Sequence, residues 1–318
     1  VHLGAVKMNE IDYLHIPTLL SNRGLFRSFE VLMKLLPPPK YGNLDATPFI
    51  SVFFPFFFGI ILGDTAYGLL LLASAGIVRW KSSNRHVRDA ALVAAVAGIF
   101  TIFFGFLYGE FLGDFGEHHF GMHPAAAWLH RTQAIEVILL LAISIGVAHI
   151  VLGFALKTYV EFIIGHVRGI IEGVSKIVII LGLVLIFIQL LLGFTVVLRY
   201  GGYGMIAAGL VGVLFTEGLF GVMEIFSIFG NILSYSRIMA IGLASVILAI
   251  VANRLAGAAP NIAAGIAVAL VIHLINFVMG VFSPTIHSLR LHYVEFFTKF
   301  FKPEGKSFHP FRRMENTG

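Results

Sequence analysis

Apolar residues gather into seven long runs, near 48–79, 87–112, 134–157, 174–199, 203–222, 224–252 and 261–289. About 20 apolar residues as helix span ~30 Å of hydrocarbon, so each run predicts at least one membrane helix. The first run is too long for one upright helix, since at ~1.5 Å per residue it would reach about 50 Å. It is also interrupted by Gly63-Asp64-Thr65. Charge decides how often it crosses. The segment after it, from Arg79 to Arg88, is strongly basic, and so is the stretch before it with Arg23, Arg27, Lys34 and Lys40. Basic loops stay on the cytoplasmic side, so an even number of crossings must separate the two. The run therefore reads as two short, tilted helices meeting near Gly63, whereas a single bent helix would put four basic residues on the wrong face. The remainder alternates. Loop 113–133, with Asp114, Glu117 and no Lys, falls outside; loop 157–176, with Lys157, Arg168 and Lys176, falls inside. The tail, with Lys299, Lys302, Lys306, Arg312 and Arg313, also falls inside. The expectation is an all-α integral membrane protein of about eight transmembrane helices, the last two long and tilted, with both termini cytoplasmic.

Composition sharpens this picture. The chain of 318 residues is 58% apolar and 12% charged, where a soluble domain carries about 25% charge, and its mean hydropathy is +0.91. A soluble enzyme and a nucleic-acid binder are excluded. The net charge of +5 sits at loops and reports orientation, not a polyanionic partner. The absence of cysteine excludes disulfides, thiolate metal sites and cysteine nucleophiles. Residues 1–46 are mixed and polar, like the end of an upstream cytoplasmic domain; 47–300 form the membrane domain, and 301–318 a basic cytoplasmic tail. Pro37-Pro38-Pro39 reads as a stiff linker into the membrane.

Ionisable groups within a bilayer are costly, which makes each a functional candidate. The sharpest is Arg237, about 13 residues from either end of the 224–252 run, or ~20 Å from an interface. Arginine cannot snorkel that far, nor shed its proton, so it must face protein or water and meet an anion. Glu224, Ser227, Asn231, Ser234 and Arg237 recur at three- and four-residue steps and predict one polar stripe. The bland alternative makes Arg237 a structural pin, paired with a carboxylate of a neighbouring helix. In the last run His273, Asn276, Gly280, Ser283, His287 and Arg290 follow steps of 3, 4, 3, 4 and 3, predicting a second polar seam. Two facing seams could line a hydrated path; interhelical hydrogen-bond glue explains Ser and Asn but not a mid-membrane Arg with two His.

Other polar groups carry weaker signals. His273 and His287, 14 apart, have a spacing used by stacked haem ligands, but each haem needs a partner on another helix, and His149 and His166 are 17 apart. His118, His119, His123 and His130 in the outside loop read as solvated rather than metal-bound. No metal or other cofactor is expected. Asp64 reads as a cap at the helix break or as a carboxylate partner in a channel.

At this point the sequence resembles a known family. The stretches Phe58-Gly59 to Gly63-Asp64-Thr65-Ala66-Tyr67-Gly68, Phe104-Gly105 to Tyr108-Gly109-Glu110 and Gly113-Asp114, Leu233-Ser234-Tyr235-Ser236-Arg237, and His287 to Arg290-Leu291-His292-Tyr293-Val294-Glu295 look like the membrane domain of the large stator subunit of vacuolar/archaeal-type rotary ATPases. That subunit is called a in eukaryotes and I in prokaryotes. The likeness runs from about residue 16 to 312 in the family's order, and the chain resembles a C-terminal fragment lacking the family's cytoplasmic half. The resemblance implies a non-catalytic subunit with two offset half-channels beside a rotating proteolipid c-ring. Its essential arginine falls on Arg237 and its second arginine on Arg290, with Glu224 resembling an upstream family glutamate. His287, His273, Ser234, Asn231 and Asn276 become candidates for the proton path, with Asp64, Ser283 and Ser227 as further channel or structural polar groups. Implied partners are the c-ring, the peripheral stalk, other stator subunits and the lipid membrane, with no nucleic acid. Two departures point to a prokaryotic member: Ser245 stands where eukaryotic members carry a histidine, and Gly280 where they carry a glutamate. A non-conducting stator anchor and a secondary transporter with broken midplane helices are the alternatives.

Overall fold

The computed structural model describes residues 16–18, 21–39, 43–193, 196–301 and 305–307. The ends of the expected N-terminal segment and basic tail, including Lys40, Lys302, Arg312 and Arg313, lie outside the described residues. A short amphipathic helix, α1 (Leu25–Met33), buries Ser28, Phe29 and Met33 on one face. The apolar chain then folds as α2 (Thr47–Leu62), α3 (Thr65–Lys81), α4 (Arg85–Tyr108), the short α5 (Phe115–Phe120), α6 (Ile135–Ile164), α7 (Val167–Leu192), α8 (Val196–Glu217), α9 (Leu219–Leu233), α10 (Ser236–Gly257) and α11 (Ile262–Arg290). A π-helical turn, Leu291–Phe296, leads into α12 (Phe297–Phe300). The architecture is all-α; a two-residue parallel pairing of Pro17–Thr18 with Lys306–Ser307 is an edge ornament.

The first apolar run breaks where the glycine stands. Gly63 takes a left-handed φ of 42°, and a Cβ there would lie 2.6 Å from the Tyr108 ring, so backbone and space both demand glycine. Asp64 then caps α3 by accepting the backbone N–H groups of Ala66 at 2.9 Å and Tyr67 at 3.1 Å. The break is a reversal. Gly59 lies against Phe100 and Gly63 against Tyr108, so α2 runs parallel to α4; Gly105 lies against Thr65 and Gly98 against Gly68 and Leu72, so α3 runs antiparallel to it. Glycines let these backbones approach closely, as apolar helices without a hydrophobic drive between them require.

Six helical columns are long and apolar enough to cross a membrane: α4, α6, α7, α8, α9 with α10, and α11 through α12, the last two of 39 residues each. The hairpin helices α2 and α3 are shorter, at 16 and 17 residues. The fold fits a multi-pass membrane protein.

Two boundaries differ from the sequence reading. The 157–176 segment is not a loop, because α6 continues to Ile164 and α7 starts at Val167, with only Gly165 and His166 between them. Lys157 and Lys176 lie on the helices and pair with glutamates there, so the connection itself is the short turn at Gly165 and His166. The next break comes near Gly193 (φ 64°), which caps α7, and not at Arg199-Tyr200. Phenylalanine and isoleucine recur most often in the core. Phe29, Phe54, Phe58, Phe296, Phe297 and Phe300 bind α1 and α2 to the π-turn and α12. Phe57, Ile61, Ile150, Phe154, Tyr235 and Ile238 fill the space between α2, α6 and α10.

Candidate functional site

Arg237 lies at the centre of its 39-residue column, but not inside an unbroken helix as expected. Between α9 and α10 the ladder tightens to i→i−3 bonds: Ser234 N to Asn231 O, Tyr235 N to Ile232 O and Ile238 N to Tyr235 O. The Ser234 carbonyl accepts from the Arg237 Nε at 3.0 Å. The required anion is Glu295, whose Oε1 accepts from Arg237 Nη2 at 3.0 Å. Arg290 Nε lies 4.0 Å from the same oxygen. Glu295 is 1% exposed, whereas the Arg237 and Arg290 side chains are 24% and 56% exposed and reach the outer surface of the chain. Glu295 was not singled out from sequence, although it is the sole Asp or Glu between residues 225 and 303; that isolation was the available signal. The pairing is what the structural-pin alternative expects.

Around this pair sits a buried polar nest. His149 Nδ1 bonds the Tyr235 hydroxyl at 2.6 Å, and its ring stacks on Phe296 at 3.9 Å. His292 Nδ1 donates to the Ser288 carbonyl at 2.7 Å. His149 Nε2, His292 Nε2, Ser288 Oγ, His287 Nδ1 and Glu295 Oε2 are buried without a partner. The haem geometry is not realised: His149 is held in this nest while His166 bonds Glu161 at the α6–α7 turn.

The seam on α11 does not form one uniform face. Asn276 and Gly280 face inward, His273, Ser283 and His287 are half-buried, and Arg290 points out. Its inner part belongs to a hydrogen-bonded chain. Asn253 Nδ2 donates to Asp114 Oδ1 at 2.6 Å and to the Leu112 carbonyl at 2.8 Å, which leaves its Oδ1 to accept from His273 Nε2 at 3.0 Å. His273 Nδ1 accepts from the Tyr67 hydroxyl at 2.7 Å. Tyr67 accepts from Asn276 Nδ2 at 3.0 Å, and Asn276 Oδ1 accepts from Ser245 Oγ at 3.2 Å. The chain thus links the 109–134 loop to the interior of α10 and α11.

On α9 the expected stripe comes apart. Ser227 is exposed and Asn231 half-buried, while the Ser234 hydroxyl bonds its own helix at the Gly230 carbonyl. Glu224 does not serve Arg237; its Oε2 accepts from Lys176 Nζ at 2.6 Å. Lys176, 0% exposed, also donates to Glu172 at 2.7 Å and Glu217 at 2.8 Å, and Lys157 pairs with Glu172. Among the described residues the one group of three or more ligand-type side chains with donor atoms within 4.8 Å is this glutamate trio, and the lysine fills it. The loop histidines His118, His119, His123 and His130 form no such group.

A second ion pair escaped the sequence reading. Arg131, from the 109–134 loop, forks onto Glu110, with Nε to Oε1 at 2.9 Å and Nη2 to Oε2. It also donates to the carbonyls of Ile61 at 3.0 Å, Leu62 at 3.3 Å and Gly63 at 3.1 Å, satisfying the open end of α2. Burial pushes the Glu110 carboxyl up, to about 7, against the pull of the guanidinium. A small cavity lined by Ile60, Tyr108, Arg131, Ala142 and Gly242 lies beside the pair. Asp64 joins the same region, with Oδ2 accepting from Gly113 N at 2.8 Å; all its contacts are backbone donors.

Comparison with known proteins shows what these features are similar to. Residues 225–313, which hold Arg237, Arg290 and Glu295, match the family described as V-type ATPase 116kDa subunit family. The chain is 32% identical to the A-type ATP synthase subunit I of Archaeoglobus fulgidus, over 94% of this chain and 54% of that protein. It is 32% identical to the A-type ATP synthase subunit I of Pyrococcus horikoshii, over 98% and 49%, and 25% identical to the V-type ATP synthase subunit I of Chlamydia pneumoniae, over 94% and 55%. The chain spans about half the length of these curated relatives. With the all-α membrane fold and the sequence stretches quoted above, this makes the chain similar, over nearly its whole length, to about half of the subunit I proteins of A-type and V-type ATP synthases.

Proposed function

We propose that this chain is the ion-conducting membrane part of a rotary-ATPase stator, with Arg237 as the gate between two half-channels beside a proteolipid ring. The observation that carries the reading is the placement of Arg237: mid-column, half-buried and on the outer edge, between two separate polar groups. Toward the 109–134 loop lie Ser245, Asn276, Tyr67, His273, Asn253 and Asp114. Toward the opposite end lie Lys299 and the Lys176 cage with Glu224, Glu217 and Glu172. No side-chain hydrogen bond joins these groups across Arg237 among the described residues, which suits two inlets that do not meet. The amides of Asn253 and Asn276 orient neighbours and water rather than carry protons; His273 and His287 are the imidazoles able to take up and pass them on.

In this reading a partner's carboxylate, brought beside Arg237, is held ionised by the guanidinium and takes up its proton again only after rotating away. A permanently charged guanidinium suits that task, where lysine would lose its proton in a dry site. ATP chemistry belongs to other subunits. The α2–α3 hairpin supplies two of eight crossings, both termini face the cytoplasm, and the membrane is that of a prokaryotic cell. The exposed faces of α9–α11, with Phe226, Leu274, Phe282 and Ile286, meet the ring and lipid.

The Arg237–Glu295 pair favours a second reading, a non-conducting anchor in which the arginine only pins two helices. One experiment separates them: Arg237→Gln in the assembled complex, followed by ATP-driven proton pumping in reconstituted vesicles. The gate reading expects pumping to be abolished with assembly retained. Near-normal pumping by a well-assembled variant leaves only the anchor.

A further inference from the structure

Two guanidinium groups share one carboxylate at the centre of the site. Glu295 Oε1 accepts from Arg237 Nη2 at 3.0 Å and lies 4.0 Å from Arg290 Nε, while Oε2 is buried and unpartnered. The cluster therefore holds one positive charge more than it neutralises. Among the described residues no other acid pairs with either arginine: residues 225–303 contain no other Asp or Glu, and Glu224 is committed to Lys176. An anion from outside the chain would balance the cluster, and Arg237, whose side chain is 24% exposed, is open to one.

We propose that Glu295 is a positioning residue, the resident counter-ion to which Arg237 returns each time a partner's carboxylate leaves. This rests on the gate reading above. Glu295 sits in the π-helical turn next to Phe296, which stacks on His149; His149 in turn bonds Tyr235, two residues before Arg237. Carboxylate and arginine backbone are thus tied to one aromatic nest, and only the guanidinium is left to swing between an internal acid and an external one. Exchanging one carboxylate for another keeps the arginine paired at every step. Without Glu295, a departing carboxylate would abandon a bare guanidinium at bilayer depth, and the ring would stay clamped to it.

The test uses the full complex with Glu295→Gln, Glu295→Asp and Arg237→Gln, read by ATP-driven proton pumping and by disulfide cross-linking. The chain contains no cysteine, so Ala240→Cys, exposed one turn from Arg237, can be paired cleanly with a cysteine on the ring's carboxylate helix. Glu295→Gln is expected to slow pumping at least tenfold while raising cross-link yield at least twofold, because the ring is held longer. Glu295→Asp, which withdraws the carboxylate without removing it, is expected to slow pumping two- to fivefold with a smaller rise in yield. A purely structural role would lower yield and pumping together, and that result overturns the assignment. So does Glu295→Asp matching the unaltered chain in both readouts, which stays measurable if Glu295→Gln does not assemble. Arg237→Gln separates the two layers: its normal pumping defeats the gate reading, whereas a dead Arg237→Gln beside a normal Glu295→Gln defeats the counter-ion alone.

Discussion

Replacing Arg131 by methionine tests how the 109–134 loop locks the helical hairpin. The substitution keeps much of the buried volume but removes the guanidinium that bonds Glu110 and the carbonyls of Ile61, Leu62 and Gly63. Glu110, 8% exposed, is then left as an uncompensated buried acid, and the end of α2 loses its donors. Breaking a buried pair from one side costs about 3–5 kcal/mol, a fall of roughly two to four powers of ten in the folded-to-unfolded ratio. Glu110→Gln removes the charge but keeps an acceptor, and the cation retains three carbonyls, so about 2 kcal/mol is expected, within the range for a weakened charged hydrogen bond. The double variant should lose clearly less than the two single losses together, with a coupling above ~1 kcal/mol. Trp128 lies three residues before Arg131, and Trp80 is the chain's other tryptophan. Trp80→Phe, at a site 85% exposed, leaves Trp128 as a local fluorescence reporter during denaturant titration in detergent micelles. Additivity within ~0.5 kcal/mol, or a loss below ~1 kcal/mol for Arg131→Met, a value typical of exposed pairs, would falsify the lock.

Gly63→Ala combines a left-handed φ with a Cβ 2.6 Å from the Tyr108 ring; a loss of about 2 kcal/mol or more is expected from backbone strain and clash, seen as lower thermal stability in detergent. Lys176→Met leaves Glu172, Glu217 and Glu224 facing one another, so the variant should be destabilised at neutral pH and partly recover on acidification; equal loss at pH 5 and pH 8 contradicts the caged-lysine account. Tyr67→Phe removes the hydroxyl between His273 and Asn276 with little change in shape. Pumping should fall several-fold with assembly intact, and an unaltered rate would detach this chain of groups from the ion path.

Much of the fold was legible because lipid imposes strong rules. Apolar runs gave the columns, Gly63-Asp64 gave the reversal, and the mid-column Arg237 required an anion before any partner was known. What escaped was pairing at long range. Nothing local in sequence joins Arg131 to Glu110, a pair closed when the 109–134 loop folds back over the end of α2, or Lys176 to Glu217 and Glu224, which meet only when distant helices pack. The same blindness moved boundaries: Lys157 and Lys176 resembled loop charges only while their glutamate partners were unseen. Arg199, by contrast, suggested an exit that the left-handed Gly193 makes earlier. The seam on α11 lost its single face through the drift of a 3.6-residue helix against a 3.5-residue rhythm, and the π-turn then rotated Glu295 inward.

The long columns carry a consequence for the direction of travel. Thirty-nine residues of helix measure ~58 Å, almost twice the ~30 Å depth of hydrocarbon. Laid obliquely through that slab, the two ends of such a column stand up to ~50 Å apart in the membrane plane by the same dimensions. Under the proposed gate, an ion entering beside one end and leaving beside the other would be displaced sideways as well as across. Beside the proposed round partner, that sideways component would lie along its circumference, the direction in which torque acts.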